Sequence, residues 1–333
     1  MSLRVSGLTG VIAIVGVLGA CGDDGSGGAG GSGASGATGG AGGGVGTGGS
    51  YPCSPKASCD AGHDCISLTD NDGATKFGLR MSQVTFQKPS AFAAGIVGGT
   101  LSGGALPKLA SCNLPGTGTF SWLMQFDTAA HTLKTGGAKP VADPSAGYSF
   151  VDNETVGNVT VHPVVLDATP DASGAFATGV GVDLPLVLYL DDGATQPLLM
   201  PLSKLQFDDS TLSADKNCIG LYNSAGLSPG DSCQPTDVVS AFVPGGHVHA
   251  YITLENADTI EIAAVHQSLC VLLSGDATTY GDGQAPTMKC KRDANNVILF
   301  KGDWCSTTDM AGGCTDSTEV SADFAASAVE ILN

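Results

Sequence analysis

The chain has 333 residues, with 32 Asp or Glu against 14 Lys or Arg, which gives a formal net charge of −18. The acidic side chains are scattered along the sequence, and a surface this acidic repels phosphate groups, so we expect no nucleic-acid partner. The 49 glycines and 11 cysteines instead indicate a chain that is rich in turns and, in an oxidising compartment, in disulfide bonds.

The first twenty residues are typical of a secretory signal peptide. Arg4 precedes an apolar run from Val11 to Val17, and small residues follow as far as Cys21. A basic start, a short apolar segment and small residues before a cleavage site define such a peptide. The run is shorter than the roughly 20 apolar residues of a membrane-spanning helix. The segment Leu18-Gly19-Ala20-Cys21 resembles the lipobox of bacterial lipoproteins.

This resemblance implies how the protein is held in the cell envelope. In bacterial lipoproteins signal peptidase II cuts before the cysteine, whose thiol carries a diacylglycerol, and the new amino terminus is usually acylated as well. Two or more acyl chains anchor a protein stably, whereas one chain binds only marginally. The expected partner is therefore a lipid bilayer, reached through acylated, palmitate-bearing Cys21. Because Gly22 and not aspartate follows Cys21, the outer membrane is favoured, at its periplasmic face or at the cell surface.

The segment after Cys21 predicts a flexible tether. From Gly22 to Ser50 the chain is almost entirely Gly, Ser, Ala and Thr, a composition that cannot bury enough apolar surface to fold. A glycine-rich chain of this length spans about 30 Å. The predicted organisation is a signal peptide over 1–20, a lipidated cysteine and tether over 21–50, and a disulfide-bonded globular ectodomain over 51–333.

Ten cysteines remain once Cys21 is assigned to lipid, an even number that predicts a disulfide framework. Short, turn-rich separations favour the pairs Cys218–Cys233, Cys305–Cys314 and Cys270–Cys290. The other four are expected to pair among themselves: Cys53, Cys59, Cys65 and Cys112. Because no C-x-x-C pair occurs, a zinc site built from cysteines is not expected.

The ectodomain shows repeated strand signals. The apolar phase slips between residues 79–81 and 84–86, which predicts a β-bulge or a strand buried on both faces. Residues 120–126 alternate, with aromatic side chains, Trp122 included, expected to point inward, and the chain is expected to return over 132–135 and end at Gly136-Gly137. Residues 184–190 and 198–207 predict a hairpin.

These signals predict a mainly β fold, a β-sandwich or jelly-roll-like architecture stapled by disulfides. One helix is expected near 254–273, because apolar residues from Ile262 to Leu272 recur at helical spacing and Gly275 would end it. The alternative is two strands, since 269–273 also suits a buried strand.

Two motifs suggest chemistry. The segment Gly226–Gly230 matches the G-x-S-x-G pattern of serine hydrolases, but Pro229 lacks the N–H that the oxyanion hole needs, which favours a loop. In His247-Val248-His249, strand alternation would put both imidazoles on one face, where they could bind a divalent metal. The third ligand could come from one of four residues: His131, His162, His266 or Glu255. The favoured interpretation is that both imidazoles face solvent beside the Gly245-Gly246 turn.

Three further features of the sequence are not assigned to a functional site. Asp70–Gly73 has the opening of a calcium loop without its remaining ligands, and is interpreted as a turn. Trp304, beside Cys305, is expected to pack against a disulfide. No pair of carboxylates can be chosen from the sequence as a glycosidase dyad.

The sequence therefore favours a membrane-anchored envelope lipoprotein with a non-catalytic structural or ligand-binding ectodomain and no cofactor. The ectodomain resembles no family of known activity, and its protein or ligand partner is left open. The alternative is a secreted hydrolase or metal-dependent enzyme that uses His247 and His249.

Overall fold

The computed structural model describes Cys59 and residues 65–332 except 94, 237, 284–285, 309 and 312, with only the backbone described at 95–97, 111 and 264. The predicted signal peptide, lipobox and tether lie outside these residues, as does Cys53. The described residues belong to one compact unit.

The fold is mainly β, and within the described part of the chain its centre is a nine-stranded antiparallel sheet. The strands are β1 (Lys76–Lys88), β2 (Ser121–Asp127), β3 (Thr132–Ala138), β4 (Val164–Asp167), β5 (Val182–Tyr189), β6 (Pro197–Asp208), β7 (Cys218–Ile219), β8 (Gly246–Thr253) and β9 (Ser317–Ala328). They hydrogen-bond in the order β5-β6-β8-β9-β1-β2-β3-β4, and β7 also pairs with β9. Since β5 contacts both β3 and β4, the sheet is nearly closed.

Smaller elements surround the sheet. Short two-stranded ladders join Lys108–Leu109 to Leu114–Pro115, Glu154–Val156 to Val159–Val161, Ala175–Phe176 to Ser210–Thr211, Leu221–Tyr222 to Phe242–Val243, Glu261–Ile262 to Gln267–Ser268, and Gly281–Asp282 to Lys289–Cys290. The helices are α1 (Ser90–Ala93), α2 (Gly95–Ala105), α3 (Leu254–Thr259), α4 (Leu269–Ser274) and α5 (Ala277–Tyr280). Single 3-10 turns lie at Ala110–Cys112, Pro144–Ala146, Pro229–Asp231 and Ala263–Val265.

The core lies between the two halves of this sheet. The predicted slip on β1 is present, because its register with β9 shifts between Met81 and Gln83, and most of the strand is buried on both faces. The Trp122 ring points inward from β2, as predicted, and lies 6.1 Å from the ring of Phe207 on β6. The two halves thus face each other across the core as the layers of a sandwich do.

One strand boundary differs from the prediction. The return strand does not end at Gly136-Gly137 but continues to Ala138. A Cβ at Gly137 would lie 2.0 Å from the carbonyl oxygen of Val187 on β5. Glycine is required there because the two backbones approach closely where the sheet nearly closes.

The single helix predicted near 254–273 is two short helices, α3 and α4, separated by the hairpin of Glu261–Ile262 and Gln267–Ser268. Each helix has its own N-cap. The Thr253 side chain accepts a hydrogen bond from the backbone N–H of Asn256, and the Ser268 side chain accepts one from the backbone N–H of Val271. Ser268 therefore begins a new helix inside the predicted span. Gly275, with φ of 68°, ends α4 as expected.

The disulfides correct part of the predicted pairing. Cys270–Cys290 and Cys305–Cys314 form as the short separations predict, but Cys218 does not pair with Cys233. The bonds are Cys65–Cys218 and Cys59–Cys233, with sequence separations of 153 and 174. The prediction that Cys59 and Cys65 pair among the four cysteines at 53, 59, 65 and 112 is therefore wrong. Cys112 is also disulfide-bonded.

The physical reason lies in the sheet. Cys218 is on β7, which is hydrogen-bonded to β9, whereas the chain leaves the sheet before it reaches Cys233. Proximity in sequence thus does not become proximity in space. Crosslinks over such long separations instead tie the first described residues to the middle of the chain and strongly restrict the unfolded chain.

Candidate functional site

The two histidines of the His-x-His motif lie on β8, an interior strand between β6 and β9. Val248, Ala250 and Ile252 are buried, and the alternate residues are partly exposed. Both imidazoles therefore share the outer face of the sheet, as strand alternation predicts. Their ring centroids are 6.1 Å apart.

A carboxylate that the sequence analysis did not select joins the two rings. Asp208 on β6 lies directly opposite His247. Its Oδ1 is 2.6 Å from His247 Nδ1, and its Oδ2 is 3.0 Å from His249 Nδ1. One carboxylate thus contacts both imidazoles, one with each oxygen.

Gln206 completes this arrangement from the same strand. It lies opposite His249, and its Oε1 is 2.9 Å from His249 Nε2. The amide nitrogen of Gln206 donates to the carbonyl oxygen of Gly179 at 2.6 Å. We call the group formed by Gln206, Asp208, His247 and His249 the histidine face.

Asp208 and Gln206 were missed because their role depends on the register between β6 and β8. The available signal was that Gln206-Phe207-Asp208 has the same alternation as His247-Val248-His249, polar on both sides of a buried apolar residue. Alternation predicts that each pair shares a face, but it does not predict which strands are neighbours.

The four residues proposed as third ligands lie elsewhere and do not join the histidine face. Thr169 contacts His131, Asp152 contacts His162, and Arg292 contacts Glu255, while His266 follows the 3-10 turn at Ala263–Val265. Both imidazoles are partly exposed to solvent, as one of the two interpretations expects, and both also contact Asp208.

Aromatic and charged side chains extend the outer face along β8 and β9. The ring of Tyr251 stacks on that of Trp304 with centroids 4.5 Å apart. Asp323 lies opposite His247 on β9 and accepts a hydrogen bond from Gln87 Nε2 at 2.9 Å.

The site is accessible to solvent. The side chains of Asp208, His247 and His249 are 37%, 27% and 21% exposed. His247 and Asp323 line one part of an open cleft of about 830 Å³. A small ligand can therefore reach the imidazoles without a rearrangement of the sheet.

The other candidate motifs have structural roles. Ser228 directly precedes the 3-10 turn Pro229–Asp231, in a loop and not between a buried strand and a helix, so the loop interpretation holds. Asp70 Oδ1 accepts the backbone N–H of Asp72, which closes the predicted turn. Two other clusters of potential metal ligands contain cysteines that are already disulfide-bonded. They are Asp258 with Cys270 and Cys290, and Asp316 with Cys305 and Cys314.

Two imidazoles that share one carboxylate can bind a metal ion or exchange protons. No serine or cysteine in the described part of the chain is hydrogen-bonded to either imidazole, so the nucleophile–base pair of covalent hydrolases is not formed there. No protein-family model, curated protein or solved structure matches the chain. Among the described residues no helix has the length and apolarity needed to cross a bilayer.

Proposed function

We propose that the protein is a membrane-anchored envelope lipoprotein whose ectodomain binds a ligand, without catalysis, at the histidine face. One observation carries the proposal: the imidazoles of His247 and His249 both contact the carboxylate of Asp208 at a solvent-accessible position. The three side chains lie on two neighbouring strands of the sheet. Polar side chains held on paired strands form a preorganised site, which lowers the entropic cost of binding.

The residues around Cys21 and the tether that follows support the proposed membrane anchor. The disulfides of the ectodomain are typical of an exported protein, because thiols stay reduced in most cytosolic compartments. Outer-membrane delivery is part of the proposal, on the ground that Gly22 follows Cys21.

The anchor is tested by expressing the full chain in a Gram-negative host with radiolabelled palmitate. The wild-type protein is expected to carry label and to sediment with membranes, and Cys21→Ala is expected to lose the label. Ser26→Ala, in the tether, is a control that leaves the lipobox intact. An unlabelled wild-type protein would contradict the anchor.

A metal-dependent hydrolase is the second candidate, and the cleft beside His247 favours it. A site of two imidazoles and one carboxylate can activate a metal-bound water for attack on an ester or amide. A panel of ester, phosphoester and peptide substrates with added Zn²⁺ separates the two candidates. Turnover that disappears in His247→Ala would replace the non-catalytic proposal by the enzymatic one.

A further inference from the structure

We infer that the histidine face binds one divalent transition-metal ion of the zinc class, through Nδ1 of His247, Nδ1 of His249 and the carboxylate of Asp208. The inference rests on the proposed function and names the class of ligand that this site takes.

The three ligand groups are close enough to share one ion. Their ligand atoms lie within 4.8 Å of one another. Zinc bonds of about 2.0–2.2 Å to nitrogen and oxygen place tetrahedral ligand atoms roughly 3.4 Å apart. The ligand atoms therefore lie within about 1.4 Å of the spacing that one tetrahedral ion requires.

The hydrogen bonds of His249 supply a second, independent argument. Its two ring nitrogens both face oxygen acceptors, Asp208 Oδ2 at Nδ1 and Gln206 Oε1 at Nε2. The orientation of the Gln206 amide is set by Gly179, whose carbonyl takes the amide nitrogen. A neutral imidazole has only one N–H, so the two contacts together require either a second N–H or a metal cation at one ring nitrogen.

A cation at Nδ1 satisfies both contacts. Nε2–H of His249 then donates to Gln206 Oε1, and the Nδ1 lone pair and the Asp208 carboxylate both bind the ion. A metal-ligating histidine nearly always donates its other ring N–H to an oxygen in this manner, which fixes the tautomer and the ring orientation. In this arrangement Gln206 is a positioning residue for His249.

The ligand types select the metal. Imidazole nitrogen with one carboxylate suits zinc, copper and nickel, whereas magnesium and calcium prefer oxygen ligands. Three protein ligands leave a fourth position open to water or to a further ligand. The net charge of −18 and the nearby Asp323 favour the approach of a cation.

The chain offers a matched control for an ordinary histidine–aspartate pair. His162 Nδ1 lies 2.8 Å from Asp152 Oδ1, a distance similar to those at the histidine face. His162 lies on the segment between Val159–Val161 and β4, away from β8. His162→Ala therefore removes an imidazole–carboxylate contact without touching the proposed site.

The test is calorimetric titration of the full chain, purified in detergent and freed of metal with EDTA. Wild type is expected to saturate at one Zn²⁺ per chain and to show no competition from Mg²⁺. His247→Ala and His249→Ala are each expected to weaken binding by at least about tenfold, since even the loss of an outer contact costs that much. Asp208→Asn, which keeps the side-chain shape, is expected to act in the same direction, and His162→Ala to bind like wild type.

Circular dichroism of each variant shows whether it is folded, and Asp208→Asn serves as the deciding variant if a histidine substitution unfolds the protein.

The inference is overturned if wild type shows no saturable zinc binding, or if Asp208→Asn and the folded histidine variants bind zinc like wild type. The anchor test does not involve metal, so the two failures are distinguishable. A palmitate-labelled protein that binds no zinc contradicts only the metal site. An unlabelled protein that binds zinc contradicts only the membrane anchor.

Discussion

Replacement of Arg80 by methionine is expected to destabilise the fold by about 3 to 5 kcal/mol. Arg80 lies on β1, and it is only 2% exposed. Its guanidinium uses every N–H: Nε donates to a serine hydroxyl, and Nη1 and Nη2 each donate to two backbone carbonyls. The acceptors are Ser121 Oγ and the carbonyl oxygens of Met81, Ala105, Gly118 and Phe120, at 2.9 to 3.3 Å.

The magnitude follows from these five acceptors. The Gly118 carbonyl keeps the Ser121 hydroxyl as a donor. A buried acceptor that loses its donor costs about 1 to 3 kcal/mol, so the other four would cost at least about 4 kcal/mol if the losses added. Methionine avoids the cost of burying a charge, the same effect that lowers the pKa of the Arg80 guanidinium. The net loss is therefore smaller than the sum.

Arg80→Lys separates the charge from the number of donors. An ammonium has three N–H groups, so at least one of these other four acceptors loses its donor and the expected loss is at least about 1 kcal/mol. If the charge alone mattered, lysine would restore wild-type stability.

The assay is urea unfolding with the disulfides intact, followed by the fluorescence of the two tryptophans, of which Trp122 is buried. Lys76→Met, at the exposed start of the same strand, is the control and should change the free energy of unfolding by less than about 0.5 kcal/mol. If Arg80→Met comes within about 1 kcal/mol of that control, water or backbone relaxation replaces the guanidinium and the reasoning fails.

Asp258 and Glu255 both pair with Arg292, but their side chains are 7% and 61% exposed. Asp258→Asn should lower the free energy of unfolding by about 2 to 3 kcal/mol, because this carboxylate also accepts two buried hydrogen bonds. Glu255→Gln should lower it by less than about 1 kcal/mol. Equal losses of the two variants in urea unfolding would contradict this difference. The hydrogen bond from the Thr278 hydroxyl makes the largest contribution to lowering the pKa of Asp276 from 3.8 to about 2. The stability that this cap contributes to α5 is present above pH 3.8 and disappears as pH falls through about 2. A carbon NMR titration of the carboxyl should show that midpoint, and Thr278→Val should move it toward 3.8; a midpoint unchanged by Thr278→Val would contradict the assignment.

Local patterns in the sequence determined much of the fold. The phase slip on β1, the inward face of β2 and the short disulfides Cys270–Cys290 and Cys305–Cys314 were all predicted. Each depends on residues close together in the chain, where strand alternation or loop length already restricts the geometry. The shared face of His247 and His249 follows from alternation for the same reason.

Only the tertiary structure decided which distant residues meet. Alternation puts a side chain on a face, but the register between β6 and β8 brings Asp208 to His247 and His249. The position of β7 beside β9 likewise brings Cys218 to Cys65. Such long-range pairings depend on the packing of the whole sheet, and no local pattern encodes them.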